Sequence, residues 1–198
     1  MTESNSRRLV QSVLVSLNGV TSEPLTWAGP FFGPGSAAHA LAVLKASGAM
    51  LMGRRTYEIF SRQWPSAPGE YADHLNAMPK YVFSSTLDRA EWPNTTVVPG
   101  GVVAAVAALK QAGGDDLIVY GHGKFGQTLA DAGLVDELNL TIVPVFVPDG
   151  ATLYRAGGSP QSWQLVSAGP GADPGLAALS YRPARLSVRG DSPWEATS

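Results

Sequence analysis

The sequence predicts an α/β protein with a mixed sheet, helices on both faces and an antiparallel edge at its C-terminal end. Three observations carry this. Short β-branched runs alternate with helix-forming runs through most of the chain. Two segments share one design, a buried strand, a tight turn and a helix start. The last two strand-like runs have no helix between them, as antiparallel neighbours do.

In chain order, Leu9–Leu17 is short and β-branched and stops at Asn18-Gly19, so it reads as a strand ending in a turn. Residues 21–36 carry Trp27, Phe31 and Phe32 among three prolines and three glycines, which predicts an irregular aromatic loop. Residues 37–47 read as a helix stopped by Gly48, and 49–52 as a buried strand. A second helix starts at Thr56, placed as its N-cap. Strands follow at 80–84 and 95–98, then an alanine-rich helix at 102–111 closed by Gly113-Gly114. Residues 117–120 are a strand, 121–126 a glycine-rich turn and 127–132 a helix. Residues 139–147 are the longest strand, and 163–168 with 177–182 form the closing pair.

The 198 residues suffice for one well-buried domain, placed at 9–182 between polar tails at 1–8 and 183–198. The absence of cysteine excludes disulfides, a thiolate nucleophile and Cys-based metal sites, and no Asp/Glu/His cluster has ligand spacing, so no metal is expected. Fourteen Lys+Arg against 16 Asp+Glu leave no basic footprint for nucleic acid. The longest apolar runs fall far short of the ~20 residues of a membrane span. With no signal-peptide core near Met1, a soluble cytoplasmic protein is expected.

The two strand–turn–helix segments are suited to phosphate. In Met50–Tyr57, unpaired N–H groups at the helix start and the donors of Arg54 and Arg55 attract anions; the same residues also fit a capped helix with solvated arginines. In Leu117–Gly126, Gly121, Gly123 and Gly126 satisfy G-x-G-x-x-G, which allows close backbone approach to a pyrophosphate. A P-loop is disfavoured, because Gln127 stands where the lysine before Thr128 would be. His122 in this turn offers either a protonated ring or its backbone N–H.

Ser16-Leu17-Asn18-Gly19, the run from Leu51 to Glu58, the run from Lys80 to Leu87, the Gly121–Gly126 turn and the run from Gly133 to Leu138 occur in that order. On these residues the chain resembles the dihydrofolate-reductase-like superfamily. More closely, it resembles stand-alone relatives of the riboflavin-biosynthesis reductase domain, across about residues 9 to 182. The resemblance implies a mostly parallel sheet of about eight strands and NADPH bound along the strand ends. It also implies reduction of a C=N or carbonyl group in a small heterocycle, pterin-, pyrimidine- or imine-like, and a homodimer, formed through the region of residues 139–147 and neighbouring strands.

Carried over by position, Gly53, Arg54 and Thr56 would hold the cofactor's phosphates, and Ser84, Ser85 and Thr86 its adenosine ribose and 2′-phosphate. Gly121, His122, Gly123 and Lys124 would form the second pyrophosphate turn beside Phe125, and Asn18 and Gly19 would border the nicotinamide. Two departures matter. Asn18 replaces the aspartate common in the family, and Ala37 falls where folate reductases place a carboxylate, which disfavours folate reduction. Asn18, His39 and Glu23 are the catalytic candidates, His39 because it titrates near neutral pH and Glu23 as the acid of the first long loop. Trp27, Phe31, Phe32 and Trp64 have flat faces suited to a substrate ring, or to covering the core. Arg62 and Arg155 are isolated candidates for a substrate phosphate. The alternative is a nucleotide- or flavin-binding protein that keeps the fold without catalysis.

Overall fold

The computed structural model describes residues 6–153 and 160–184; Arg155 and most of both expected tails lie outside the described residues. The strands are β1 (Leu9–Ser16), β2 (Ser47–Gly53), β3 (Lys80–Phe83), β4 (Thr95–Val98), β5 (Asp116–Tyr120), β6 (Glu137–Val143), β7 (Trp163–Pro170) and β8 (Ala177–Pro183). They form one sheet in the order β4-β3-β2-β5-β1-β6-β8-β7. The first six are parallel and the last two antiparallel. The helices are α1 (Pro24–Trp27), α2 (Pro34–Lys45), α3 (Arg54–Gln63), α4 (Glu70–Ala77), α5 (Val102–Gln111) and α6 (Lys124–Asp131).

Met50, Leu51 and Met52 are each no more than 1% exposed, so β2 needs cover on both faces. Leu51 packs with Leu9, Val13 and Val119 against Val106 of α5 and Leu129 of α6. Met50 and Met52 pack with Ile118 against Leu44 of α2, Tyr57 of α3 and Leu75 of α4. Each such side chain stabilises the fold by about 2 kcal/mol.

Several boundaries differ from the sequence expectation. Residues 21–36 are not irregular: α1 and a single 3-10 turn at Gly29–Phe31 occupy the stretch, and Pro34 opens α2. Proline suits a first helical position, where its missing N–H has no intrahelical role. Gly48 does not stop α2, which ends at Lys45; Ser47 and Gly48 already belong to β2. Gly53, not Thr56, is the N-cap of α3, and Thr56 is its third residue. Helix α6 starts at Lys124, directly after Gly123. Strand β6 ends at Val143, before Pro144, and is shorter than β1. Its two edges are occupied by β1 and β8, so it offers no free edge to a second chain; β7 is the outer strand.

Acidic residues clasp the start of β1. Arg8 donates to Asp116 at 3.0 Å and to Glu137 at 3.1 Å, and the Leu9 N–H donates to Asp136 at 2.7 Å. At the other end of the molecule, Asp173 in the β7–β8 turn caps α2. Its carboxylate accepts N–H bonds from Gly33 (2.7 Å), Ser36 (2.7 Å) and Gly35 (3.1 Å). A methyl at Gly35 would collide with the Ala172 carbonyl oxygen, so this docking needs glycine. The aromatic segment after β1 is thereby tied down where it enters α2.

Candidate active site

Strands β3, β2, β5 and β1 are consecutive and parallel, so their C-terminal ends share one edge of the sheet. In open α/β sheets, ligands bind outside this edge. Three of the four ends carry donors, and the structure brings them together. Arg54, the first residue of α3, donates to the Thr86 hydroxyl at 2.6 Å and to Glu58 at 2.7 Å. Phe125 stacks on Phe83 with centroids 4.9 Å apart, and a methyl at Gly53 would stand 3.1 Å from the Phe125 Cβ. The turns at Gly53, Ser84–Thr86 and Gly121–Phe125 therefore form one continuous surface. Ser84 Oγ accepts from the N–H groups of Thr86 and Leu87, at 3.2 and 3.1 Å, which shapes its turn; Ser85, Thr86, Gly123 and Lys124 are exposed. Thr56 is half-buried in the first turn of α3.

The fourth end, after β1, has a different character. Gly19 turns the chain with φ +85°. The Asn18 amide donates to the Val147 carbonyl at 2.7 Å and accepts from the Val147 N–H at 3.1 Å. This gives Asn18 a clamping task, with its carboxamide tied to the segment beyond β6. Glu23, in the left-handed region with φ 48°, pairs with Arg55. The adjacent arginines thus diverge, Arg54 toward β3 and Arg55 across the end of β5 toward the segment after β1. His39 is exposed on α2.

The four aromatic candidates are not gathered into one cluster. Trp27 is buried with Val143 and Leu176, its indole N–H donating to the Ser22 carbonyl at 2.9 Å, and Phe31 packs on the same cluster. Phe32 stays 39% exposed. Trp64 belongs to a different cluster, 4.9 Å from Tyr71 and 6.2 Å from Phe60. Trp27 and Trp64 therefore act as core side chains, because each buries its ring among apolar neighbours. Tyr120, the last residue of β5, joins this aromatic group through Phe60. Burial pushes the hydroxyls of Tyr120 and Tyr71 above the ordinary phenol value, so both stay protonated at neutral pH.

Sequence reasoning missed Gln11. Its signal was a lone polar residue on the face of β1 that carries Leu9, Val13 and Val15. Gln11 is 1% exposed, and its Nε2 donates to the Gly121 carbonyl at 2.8 Å and lies 3.0 Å from His122 Nδ1. Asp173 was missed too; the Gly-Pro-Gly run that opens α2 was its trace.

Residues 7–171 match the RibD C-terminal domain family. The chain belongs to that family. The uncharacterized proteins YwjB and YyaP of Bacillus subtilis (strain 168) are similar, at 26% identity over 152 residues and 27% over 110. These alignments cover 75% and 53% of this chain, and 83% and 58% of the relatives. Among solved structures, a candidate riboflavin biosynthesis protein from Shewanella sp. PV-4 superposes with a TM-score of 0.73 at 19% identity, covering 90% of this chain and 99% of that one. A pyrimidine reductase-like protein from Corynebacterium diphtheriae gives 0.67 at 16% identity, covering 91% and 93%. Acinetobacter baumannii RibD gives 0.64 at 12%, covering 92% of this chain and 59% of its own. These likenesses establish the shared dihydrofolate-reductase-like fold. Membership in the RibD C-terminal domain family supports a reductase of the riboflavin-pathway type. Among the described residues, no helix is long and apolar enough to cross a membrane, and no group of three or more His, Asp or Glu could hold a metal.

Proposed function

We propose that the protein is an NADPH-dependent reductase that delivers hydride to a C=N or carbonyl group of a small heterocycle, pterin-, pyrimidine- or imine-like, and not a dihydrofolate reductase. The observation that carries this is the joining of three strand ends into one donor-rich surface, through the Arg54–Thr86 bond and the Phe83–Phe125 stack. Its chemistry fits a dinucleotide. The helix starts after Gly53 and Gly123 offer N–H groups to a pyrophosphate, and Arg54, Lys124, Ser85 and Thr86 offer a cation or hydroxyl to phosphate and ribose oxygens. NADPH supplies the hydride when bound; the protein supplies orientation. In this reading Gly19 borders the nicotinamide, Phe32, the exposed one of the four aromatic candidates, faces a substrate ring, and the protein is a cytoplasmic homodimer. The outer edge of β7, with Leu165 and Val166 about half exposed, supports the association.

Titration with NADPH and NADH, followed by tryptophan fluorescence and energy transfer to the nicotinamide, tests the cofactor. Saturable binding that favours NADPH is expected, followed by turnover in a screen of pterins, pyrimidine ribosides and cyclic imines. Failure to bind either nucleotide removes the reductase reading.

A second reading is a nucleotide- or flavin-binding protein without catalysis. It is favoured by the three catalytic candidates themselves: Asn18 is held by Val147, Glu23 by Arg55, and His39 is exposed on α2. Binding without turnover, or yellow colour in purified protein, would select it.

A further inference from the structure

We infer that Gln11 is a positioning residue of the Gly121–Phe125 turn: its amide nitrogen fixes the Gly121–His122 peptide and holds the His122 ring as the neutral Nε2–H tautomer. The turn then presents the His122 main-chain N–H and ring Nε2–H to a phosphate-bearing ligand. The ligand in this statement rests on the reductase reading; the hold of Gln11 on His122 does not.

A glutamine side chain has two N–H donors on one nitrogen. Gln11 Nε2 has two acceptors in reach, the Gly121 carbonyl at 2.8 Å and His122 Nδ1 at 3.0 Å. Turning the amide over would set Oε1 against the carbonyl oxygen, so the orientation is fixed by Gly121. With both N–H groups committed, His122 Nδ1 must carry a lone pair, which leaves the ring proton on Nε2. Among the described residues the buried Oε1 meets no donor. Leaving it unpaired costs stability, which the two bonds from Nε2 offset.

The peptide consequence follows from planarity. In a trans peptide the C=O and the following N–H point in opposite directions. The Gly121 carbonyl points inward to Gln11, which is 1% exposed, so the His122 N–H points outward. Among the described residues no acceptor meets that N–H. The Gly121 N–H is anchored separately on the Ser12 carbonyl at 2.8 Å, and Gln127 Nε2 donates to the His122 carbonyl at 3.1 Å. Gln11 also accounts for the third glycine of the motif: a methyl at Gly126 would overlap Gln11 Nε2 and stand 2.9 Å from the Gly121 oxygen. That glycine makes room for a side chain of the protein, not for a ligand.

Burial lowers the His122 pKa from its ordinary value, in the same sense as the bond from Gln11; Asp131 of α6 opposes it. Lys124, at the start of the same helix, is the other charged group of this turn and of the helix packed on it.

The test is imidazole nitrogen NMR of His122 in the wild type, Gln11→Glu and Gln11→Met, with circular dichroism and a thermal melt to confirm folding. The wild type should show the Nε2–H tautomer and titrate below pH 6.5. In Q11E the carboxylate accepts from Nδ1–H, so the titration should move up by about one unit or more. An Nδ1–H tautomer in the wild type, or the same titration in Q11E, overturns the inference. If Q11E does not fold, the wild-type tautomer decides. NADPH should bind Q11M about tenfold more weakly than wild type, as expected for one mis-set donor group. Equal binding overturns the positioning role. If the wild type binds no NADPH, the reductase reading fails, and the imidazole spectra still decide what Gln11 does.

Discussion

Asn18 pairs with Val147 as one strand residue pairs with another, donating to its carbonyl at 2.7 Å and accepting from its N–H at 3.1 Å. At neutral pH a carboxamide can do both and a carboxylate cannot. An aspartate would keep the acceptor and set a carboxylate oxygen against the Val147 carbonyl. Asn18→Asp should therefore destabilise the protein by about 1 kcal/mol in urea unfolding at pH 7. The deficit should shrink in acid, where a protonated carboxyl again donates. Equal stability at both pH values would show that the pairing contributes nothing.

Asp173 predicts an opposite response to acid. The Ser36 side chain, together with the N–H groups of Gly33, Ser36 and Gly35, holds this carboxyl at about 2, below its ordinary value. A depressed folded-state pKa means that the unfolded chain takes up the proton first as pH falls. The stabilisation is complete above about pH 4 and is lost as pH drops through about 2. Asp173→Asn should unfold at lower urea than wild type at pH 6, with the two converging near pH 2. A gap that persists at pH 2 would assign the effect to something other than this charge.

The α/β class, the strand order of types and the 102–111 helix were legible because alternation, β-branched runs and glycine stops act locally. What was not legible depended on partners far along the chain. Gly33-Pro34-Gly35 reads as loop punctuation until Asp173, nearly 140 residues on, supplies a cap. Trp27 and Trp64 read equally as ring faces for a substrate and as cover for the core; burial against Val143 and Tyr71 is a tertiary fact that decides between them. The two strand–turn–helix segments were legible as motifs, but not that Arg54 reaches Thr86, or that Gly126 yields space to Gln11.

Lys80 is a strand residue whose ammonium lies inside the protein, 1% exposed. Its Nζ donates to the carbonyls of Leu75 (2.8 Å), Asn76 (3.0 Å) and Met78 (2.7 Å), closing the C-terminal end of α4, and lies 4.7 Å from the Trp92 ring. Lys80→Met leaves these carbonyls without that donor and should cost about 1–3 kcal/mol at pH 7. Burial pushes the Lys80 pKa down to about 8. Between about pH 8 and the ordinary value of 10.5, the unfolded chain holds a proton that the folded chain has released. Wild-type stability relative to K80M should accordingly rise with pH across that window. A constant difference in urea midpoints from pH 7 to 10 would argue against it.

Gly123 and Gly126 belong to one motif but should fail differently. A methyl at Gly126 overlaps Gln11, so Gly126→Ala should destabilise by about 1–3 kcal/mol through overpacking. A methyl at Gly123 meets nothing within 4 Å, and its φ of −70° suits alanine, so Gly123→Ala should melt like wild type. If a pyrophosphate approaches this turn, G123A should still weaken NADPH binding. Unchanged affinity in a normally folded G123A would mean that the ligand does not come close to Gly123.

Arg54 tests which end of the cofactor meets the β3 turn. Its guanidinium already rests on the Thr86 hydroxyl, beside Ser85, so a phosphate on the adenosine ribose would find a charged donor and a hydroxyl together. Removing one charge-assisted contact typically costs ~1.5–3 kcal/mol, or about 10- to 100-fold in affinity. Arg54→Met should lose that much NADPH affinity while NADH binding changes little, so the preference between the two collapses. Losing both nucleotides equally would move Arg54 to the pyrophosphate. Losing neither would leave its charge balanced by Glu58, 2.7 Å away, with no part in cofactor recognition.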